Sequence, residues 1–341
     1  MPEWQGCDTA VSMRNLITDV AGVRVGHADD MKLGSGVTAV VFDRAVAASV
    51  DLRGGGPGTR ETALLDPAQT VEGIDAIALS GGSAFGLDAA SGVQAYLREQ
   101  GRGFAVREAR VPIVPAAILF DLLSGGDKDW GRYPPYRELG YAAGVNAARD
   151  FALGSAGAGL GATTVNLKGG IGSASATTRD GITTVGALVA VNAAGSVTIG
   201  PRAQFWAAPF ERDCEFGGLG FPEKLTAGDL AFRSKGAPGQ STTLGVIATD
   251  ARLSKAQCHR LAVMAQTGMA RAIHPVHTPL DGDVVFAAAT GEKPLADPIY
   301  GLSELGSLAA PVLARAIARG VYEATPLPFP DALPCWKARF V

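Results

Sequence analysis

Three hydroxyl residues in a row, Ser241-Thr242-Thr243, stand where a long irregular stretch ends and an apolar run begins. A hydroxyl is a weak nucleophile at neutral pH and needs an adjacent base to become reactive. Taken alone, the triplet reads as a strand start rich in β-branched residues. Asp281-Gly-Asp283 sets two carboxylates two residues apart, but the further ligand positions of a calcium loop are missing, and as a bare pattern it is a turn. Ser80-Gly81-Gly82-Ser83-Ala-Phe-Gly86 misses the nucleophile-elbow spacing by one residue and reads as a helix N-cap at Ser83. His27, His259, His274 and His277 lack zinc-ligand spacing, so no metal is expected. Gly157-Ala-Gly159-Leu-Gly161 matches a loose dinucleotide pattern but leads into β-like Thr163-Thr164-Val165 instead of opening a helix. No phosphate loop occurs anywhere, and no cofactor is expected.

The elements that would hold these groups can be traced along the chain. Strands are expected at Val23 to Gly26, Val37 to Phe42, Ala45 to Asp51 and Ala76 to Ser80. A helix from Ser83 to about Gln100 carries Leu87, Ala90, Val93 and Leu97 on one face. Val111 to Leu122 is β-like, Ser124 to Pro134 is a polar loop, and Pro135 suits the first turn of a helix reaching about Ala152. The uncharged stretch from Gly181 to Pro201 reads as a buried β-hairpin turning near Asn192 to Ser196, not as a membrane span. Gly200 to Gln240 shows no lasting period, and a connection that long often marks function or processing. Thr242 to Thr249 is a strand, Ser254 with Gln257 makes a capping box for a helix to Ile273, and Val284 to Ala289 is another strand. Pro311 should lie near the start of a helix over Leu305 to Arg319 or kink it.

Composition narrows the class. The chain has 341 residues, 47% of them hydrophobic and 18% charged, which excludes a disordered protein and fits a large core, with surface available to an oligomer. Its 45 glycines are close to double the usual share of about 7%. A net charge of −3 lacks the basic footprint of a nucleic-acid binder. Cys7, Cys214, Cys258 and Cys335 are scattered, as free thiols in a reducing compartment would be, and Met1 to Met13 carries no secretory pattern. A soluble, cytoplasmic protein with no membrane or nucleic-acid partner is expected. Strands and helices without strict βαβ alternation favour a layered α+β sandwich.

Several stretches together resemble the L-aminopeptidase/D-esterase and β-peptidyl aminopeptidase family, which includes nylon-oligomer hydrolases. They are Asn15 to His27, Asp51 to Thr62, Ser80 to Leu87, Gly157 to Gly159, Lys168 to Gly172, Thr242 to Asp250 and His277 to Asp283. They run in the family's order over about Asn15 to Ala289.

That resemblance implies a four-layer αββα sandwich of the ornithine acetyltransferase type, in one domain over 1–341. It also implies a precursor that cuts itself between Ser241 and Thr242, giving a larger chain (1–241) and a smaller one (242–341). Thr242 would become an N-terminal nucleophile whose freed α-amine, with an unperturbed pKa of about 7.7–8.0, supplies the base. Asn192 corresponds to the residue whose amide helps form the oxyanion hole. Asp281 and Asp283 correspond to the paired residues near the nucleophile, expected to orient the Thr242 amine or hydroxyl, and Lys168 corresponds to a lysine of the nylon-oligomer branch. Phe120 stands at a substrate-binding position where some members have Tyr, and Ser241 stands where they often have Asn or Gly. The implied activity is aminopeptidase or amidase hydrolysis through an acyl-enzyme, in a homo-oligomer (a tetramer of processed units). Acyl transfer, as in ornithine acetyltransferase, and a non-cleaving binding protein are the alternatives.

Overall fold

A computed structural model describes residues 13–235, 241–295 and 297–341; Cys7 lies outside them. The first half holds β1 (Val23–Asp30), β2 (Ser35–Leu52), β3 (Gly58–Arg60), β4 (Ile74–Ser80), α1 (Ala89–Glu99), β5 (Phe104–Val106), β6 (Ala109–Val111), β7 (Ala116–Ile118) and α2 (Tyr136–Val145). The second half adds β8 (Gly170–Thr177), β9 (Thr184–Asn192), β10 (Thr242–Ala251), α3 (Lys255–Ala270), β11 (Val284–Lys293), α4 (Tyr300–Tyr322) and α5 (Trp336–Phe340).

Hydrogen-bonded order runs β3-β7-β4-β2-β11-β10-β9-β8, with β1 also on β2. The long β2 serves two sheets. Its first part pairs with β1 and β4, and Ala47 to Leu52 pairs with β11. The period of two along each strand then sorts side chains into three cores. Val40, Phe42, Ile77 and Leu79 meet Leu188, Leu244, Val246 and Phe286 between the sheets. Val37, Ala39, Val41, Ala76 and Ala78 face α1 and α2 through Val93, Leu97 and Tyr136. Val185, Val189, Ile247 and Val285 face α3 and α4 through Leu261, Met269, Val312 and Leu313. The order of layers is therefore helices, sheet, sheet, helices, the αββα sandwich expected from the sequence.

Several local expectations change. The two strands foreseen over residues 37–51 are one strand with an irregularity between Val41 and Val46. The uncharged run of residues 181–201 is not a hairpin. Its only strand is β9, paired with β8 on one side and β10 on the other. It lacks charge because a central strand is buried on both faces, which requires the same composition as a buried hairpin. Ser83 does not cap a helix with its side chain: a 3₁₀ turn covers Ser83–Asp88 and the α-helix begins at Ala89. The second helix stops at Val145, before Asn146, short of the predicted Ala152. The last long helix starts at Tyr300 rather than Leu305, so Pro311 lies in its interior. Gly157–Gly159 is a 3₁₀ turn with no helix behind it, as the rejection of a dinucleotide motif requires. The capping box forms: the Ser254 amide donates to Gln257 Oε1 at 2.9 Å, and the Gln257 amide donates back to Ser254 Oγ at 3.3 Å. Cys214, Cys258 and Cys335 are free thiols. Among the described residues no helix is long and apolar enough to cross a membrane.

Candidate active site

Thr242 opens β10 and lies directly opposite Asn192, the last residue of β9. Asn192 therefore reaches the site from a strand end rather than from the tip of a hairpin. On the other side of β10, Ser241 bridges in parallel to Asp281, just ahead of β11. Three segments far apart in sequence thus converge on one peptide bond, Ser241–Thr242, and Thr242 is 3% exposed.

Two donors meet on the carbonyl oxygen of that bond. The Thr242 hydroxyl donates to Ser241 O at 2.6 Å, and the Gly282 amide donates to the same oxygen at 2.9 Å. Residue 282 has to be glycine for this approach, because a Cβ there would stand 2.6 Å from Thr242 Oγ1 and 2.7 Å from Gly56 O. The Asp281–Asp283 turn is held from behind by the glycine run after Asp51. The Gly56 amide donates to Asp281 O at 2.8 Å and the Arg53 amide to Asp283 O at 3.0 Å. A Cβ on Gly54 would fall 2.2 Å from the Asp283 nitrogen, so the two turns pack backbone to backbone.

The paired carboxylates point to neighbouring backbone. Asp281 Oδ1 accepts from the Ala194 amide at 3.0 Å, and Oδ2 from the Thr278 amide and hydroxyl at 3.0 and 2.8 Å. Asp283 Oδ1 accepts from the Thr243 amide at 2.8 Å, and Oδ2 from the His277 amide at 3.1 Å and His277 Nδ1 at 2.8 Å. These bonds link β9, β10 and the 277–283 turn into one frame around Thr242. Burial, reinforced by the neighbouring negative charge of Asp283, pushes Asp281 above the usual carboxylate range.

Lys168 is fully buried, as a residue carried in by the glycine-dense segment before β8. Its Nζ donates to Gly159 O at 2.7 Å and Gly169 O at 2.9 Å. Burial pulls its pKa down to about 7, against the opposing pull of the Asp121 carboxylate. A second lysine, which the sequence reading missed, stands beside it. Lys235 donates to Thr163 O at 3.1 Å, Thr163 Oγ1 at 3.0 Å and Asn192 Oδ1 at 2.9 Å, and burial brings it too down to about 7. Its closeness in sequence to Ser241 is the one signal that could have found it. The Asn192 amide is oriented from both ends, since Oδ1 also accepts from the Thr163 amide at 2.9 Å while Nδ2 donates to Phe120 O at 3.1 Å.

A cleft opens beside this cluster. Phe120, Leu123, Leu327 and Leu333 give it apolar walls, Lys168, Lys235 and Thr163 line it from the site, and Asp331 joins the lining from the C-terminal segment. Phe120 lines the cleft, and its carbonyl also takes part in fixing Asn192. The arrangement offers a hydroxyl, near-neutral amines, oriented amide donors and an apolar chamber, the components of acyl transfer to a hydroxyl.

Comparison with known proteins gives the family. Residues 15–332 match peptidase family S58. An uncharacterized aminopeptidase of Mycobacterium tuberculosis is 44% identical, over 92% of this chain and 95% of its own length. A 6-aminohexanoate-oligomer endohydrolase of Kocuria sp. is 29% identical, over 80% of this chain and 74% of its own. The solved L-aminopeptidase D-Ala-esterase/amidase of Ochrobactrum anthropi, described as a variant of the Ntn hydrolase fold, superimposes with a TM-score of 0.65 at 22% identity, covering 91% of this chain and 86% of that one, and so shares the fold. The chain belongs to peptidase family S58 and is an enzyme of the peptidase and amidase class.

Proposed function

We propose that the chain is a precursor that cuts itself between Ser241 and Thr242 and then works as an N-terminal threonine aminopeptidase or amidase. The observation that carries this reading is the pair of donors, Thr242 Oγ1 and the Gly282 amide, on the Ser241 carbonyl oxygen. In self-cleavage Thr242 Oγ attacks the Ser241 carbonyl carbon and gives up its proton. Gly282 N–H bears the developing oxyanion, a preorganised donor where charge appears. The C–N bond then breaks, the Thr242 nitrogen takes a proton, and an ester joins Ser241 to the threonine side chain. One water hydrolyses that ester, leaving a Ser241 carboxylate and Thr242 with a free amine and a free hydroxyl. Residues 1–241 and 242–341 become the two chains.

The released α-amine, with an unperturbed pKa of about 7.7–8.0, takes the Oγ proton in each later turnover. Thr242 forms an acyl-enzyme with the carbonyl of a peptide, amino-acid amide or amino-acid oligomer, Asn192 bears the oxyanion, and water releases the acid. Lys168 supplies near-neutral basicity from below, and Asp281 and Asp283 keep β9, β10 and the 277–283 turn in register. The apolar walls around Phe120 receive the acyl chain. A cytoplasmic location accords with the free thiols, and assembly of processed units into a homo-oligomer accords with the exposed apolar residues Phe104, Val106 and Val111 of the β5–β6 hairpin.

Intact-mass measurement of the purified protein beside T242A tests the reading. Two chains from the wild type and a single 341-residue chain from T242A are expected. One uncut chain in both would overturn it.

A further inference from the structure

Lys235 is a lysine in an otherwise irregular stretch, and it grips the corner that carries Asn192 at two points. Its side chain reaches Asn192 Oδ1, Thr163 O and Thr163 Oγ1, and its main-chain amide donates to Ala194 O at 2.9 Å. Ala194 in turn donates its own amide to Asp281. We propose that Lys235 is a positioning residue for hydrolysis, an ammonium clamp that fixes the orientation of the Asn192 amide toward the acyl group on Thr242. The proposal rests on the reading of Thr242 as nucleophile and Asn192 as oxyanion donor.

Hydrogen-bond stoichiometry supports the assignment. Three acceptors face Nζ, and only the protonated form has three N–H groups to give them. A charged donor on Oδ1 also polarises the amide and strengthens its Nδ2–H groups as donors, which an uncharged partner would do less well. The charged groups around the ammonium divide in sign. Asp281 and Asp121 favour the proton, whereas Lys168, which shares the cleft, opposes it, as does burial. The clamp therefore loosens in mildly alkaline solution, when one of the three bonds loses its hydrogen.

A small activated ester, p-nitrophenyl acetate, tests this without knowledge of the natural substrate. Acylation is read as the p-nitrophenol burst and as an acetyl adduct on the chain that begins with Thr242, with T242A as the blank. K235M keeps the aliphatic stem and removes the three bonds. It is expected to process itself, to acylate at least about tenfold more slowly at saturation and to keep KM within about twofold, the pattern of a misplaced transition-state donor. K235R, which stays charged at every working pH, is expected to recover part of the rate, and its rate relative to wild type should climb between pH 6 and pH 9. Acylation of K235M at the wild-type rate overturns the proposal. Should K235M fail to fold, a flat K235R to wild-type ratio across that pH range overturns it instead. A wild type that processes but gives no Thr242-dependent burst overturns the underlying nucleophile assignment, a result distinct from either.

Discussion

The main-chain amide of Gly282 donates to the carbonyl oxygen of Ser241 at 2.9 Å, and the two residues belong to different segments joined by a parallel bridge between Ser241 and Asp281. The amide is aimed by the Asp281–Asp283 turn, and the turn is held in place by the glycine run of residues 54–56. A donor fixed in this way needs no reorganisation as the carbonyl becomes an oxyanion, which is where electrostatic catalysis has its largest effect.

Gly282→Ala should therefore block self-cleavage without removing a single polar atom. The added Cβ would sit 2.6 Å from Thr242 Oγ1 and 2.7 Å from Gly56 O, so either the hydroxyl or the turn must move. Overpacking of this kind destabilises by about 1–3 kcal/mol. Displacing the oxyanion donor should slow cleavage about 100-fold or more. A cell-free synthesis time course, followed by intact mass, reads the rate directly. Cleavage at the wild-type rate would remove Gly282 from the mechanism.

Much of this site was legible in the sequence, and the parts that were not share a cause. Ser241-Thr242-Thr243 and Asp281-Gly-Asp283 were legible locally as a strand start and a turn, which are short-range features, and their part in a site came only through the family resemblance. The capping box of Ser254 and Gln257 was readable for the same reason. Asn192 was found by resemblance but given the wrong neighbourhood: lack of charge marks burial, and a central strand buried on both faces looks like a buried hairpin. Lys235 gave no periodic signal, since its order comes entirely from contacts with Thr163, Asn192 and Ala194. The double service of β2 to both sheets was likewise hidden, because an 18-residue strand that changes partners reads locally as two strands.

Asp283→Asn should show that the carboxylate acts through backbone donors. Three N–H groups converge on it, from Thr243, the His277 main chain and His277 Nδ1. An asparagine amide has one oxygen, so in either orientation its NH₂ faces the Thr243 N–H or those of His277. Leaving one buried donor unpaired costs about 1–3 kcal/mol. Urea unfolding in the uncut T242A background should register that loss, and self-cleavage with Thr242 intact should slow at least about tenfold as β10 shifts. Unchanged stability together with slow cleavage would instead indicate direct contact between Asp283 and the reacting atoms.

Lys168 should impose a pH dependence on stability whose sign is fixed by its burial. Its pKa is about 7 in the folded protein, against about 10.4 for an unfolded chain. Between those values the unfolded state binds more protons than the native state, so stability rises as pH increases from 7 toward 10 and levels off on either side of that window. Lys168→Met, in the uncut T242A background, removes this contribution while leaving that of Lys235. The slope of unfolding free energy against pH should then drop by about 1.4 kcal/mol per pH unit, the value for one proton. Urea titrations at pH 7.5, 8.5 and 9.5 suffice to measure it. Parallel slopes for the two proteins would mean that Lys168 keeps an ordinary ammonium in the core, in which case it holds Gly159 and Gly169 as a fixed charge and takes no part in proton transfer.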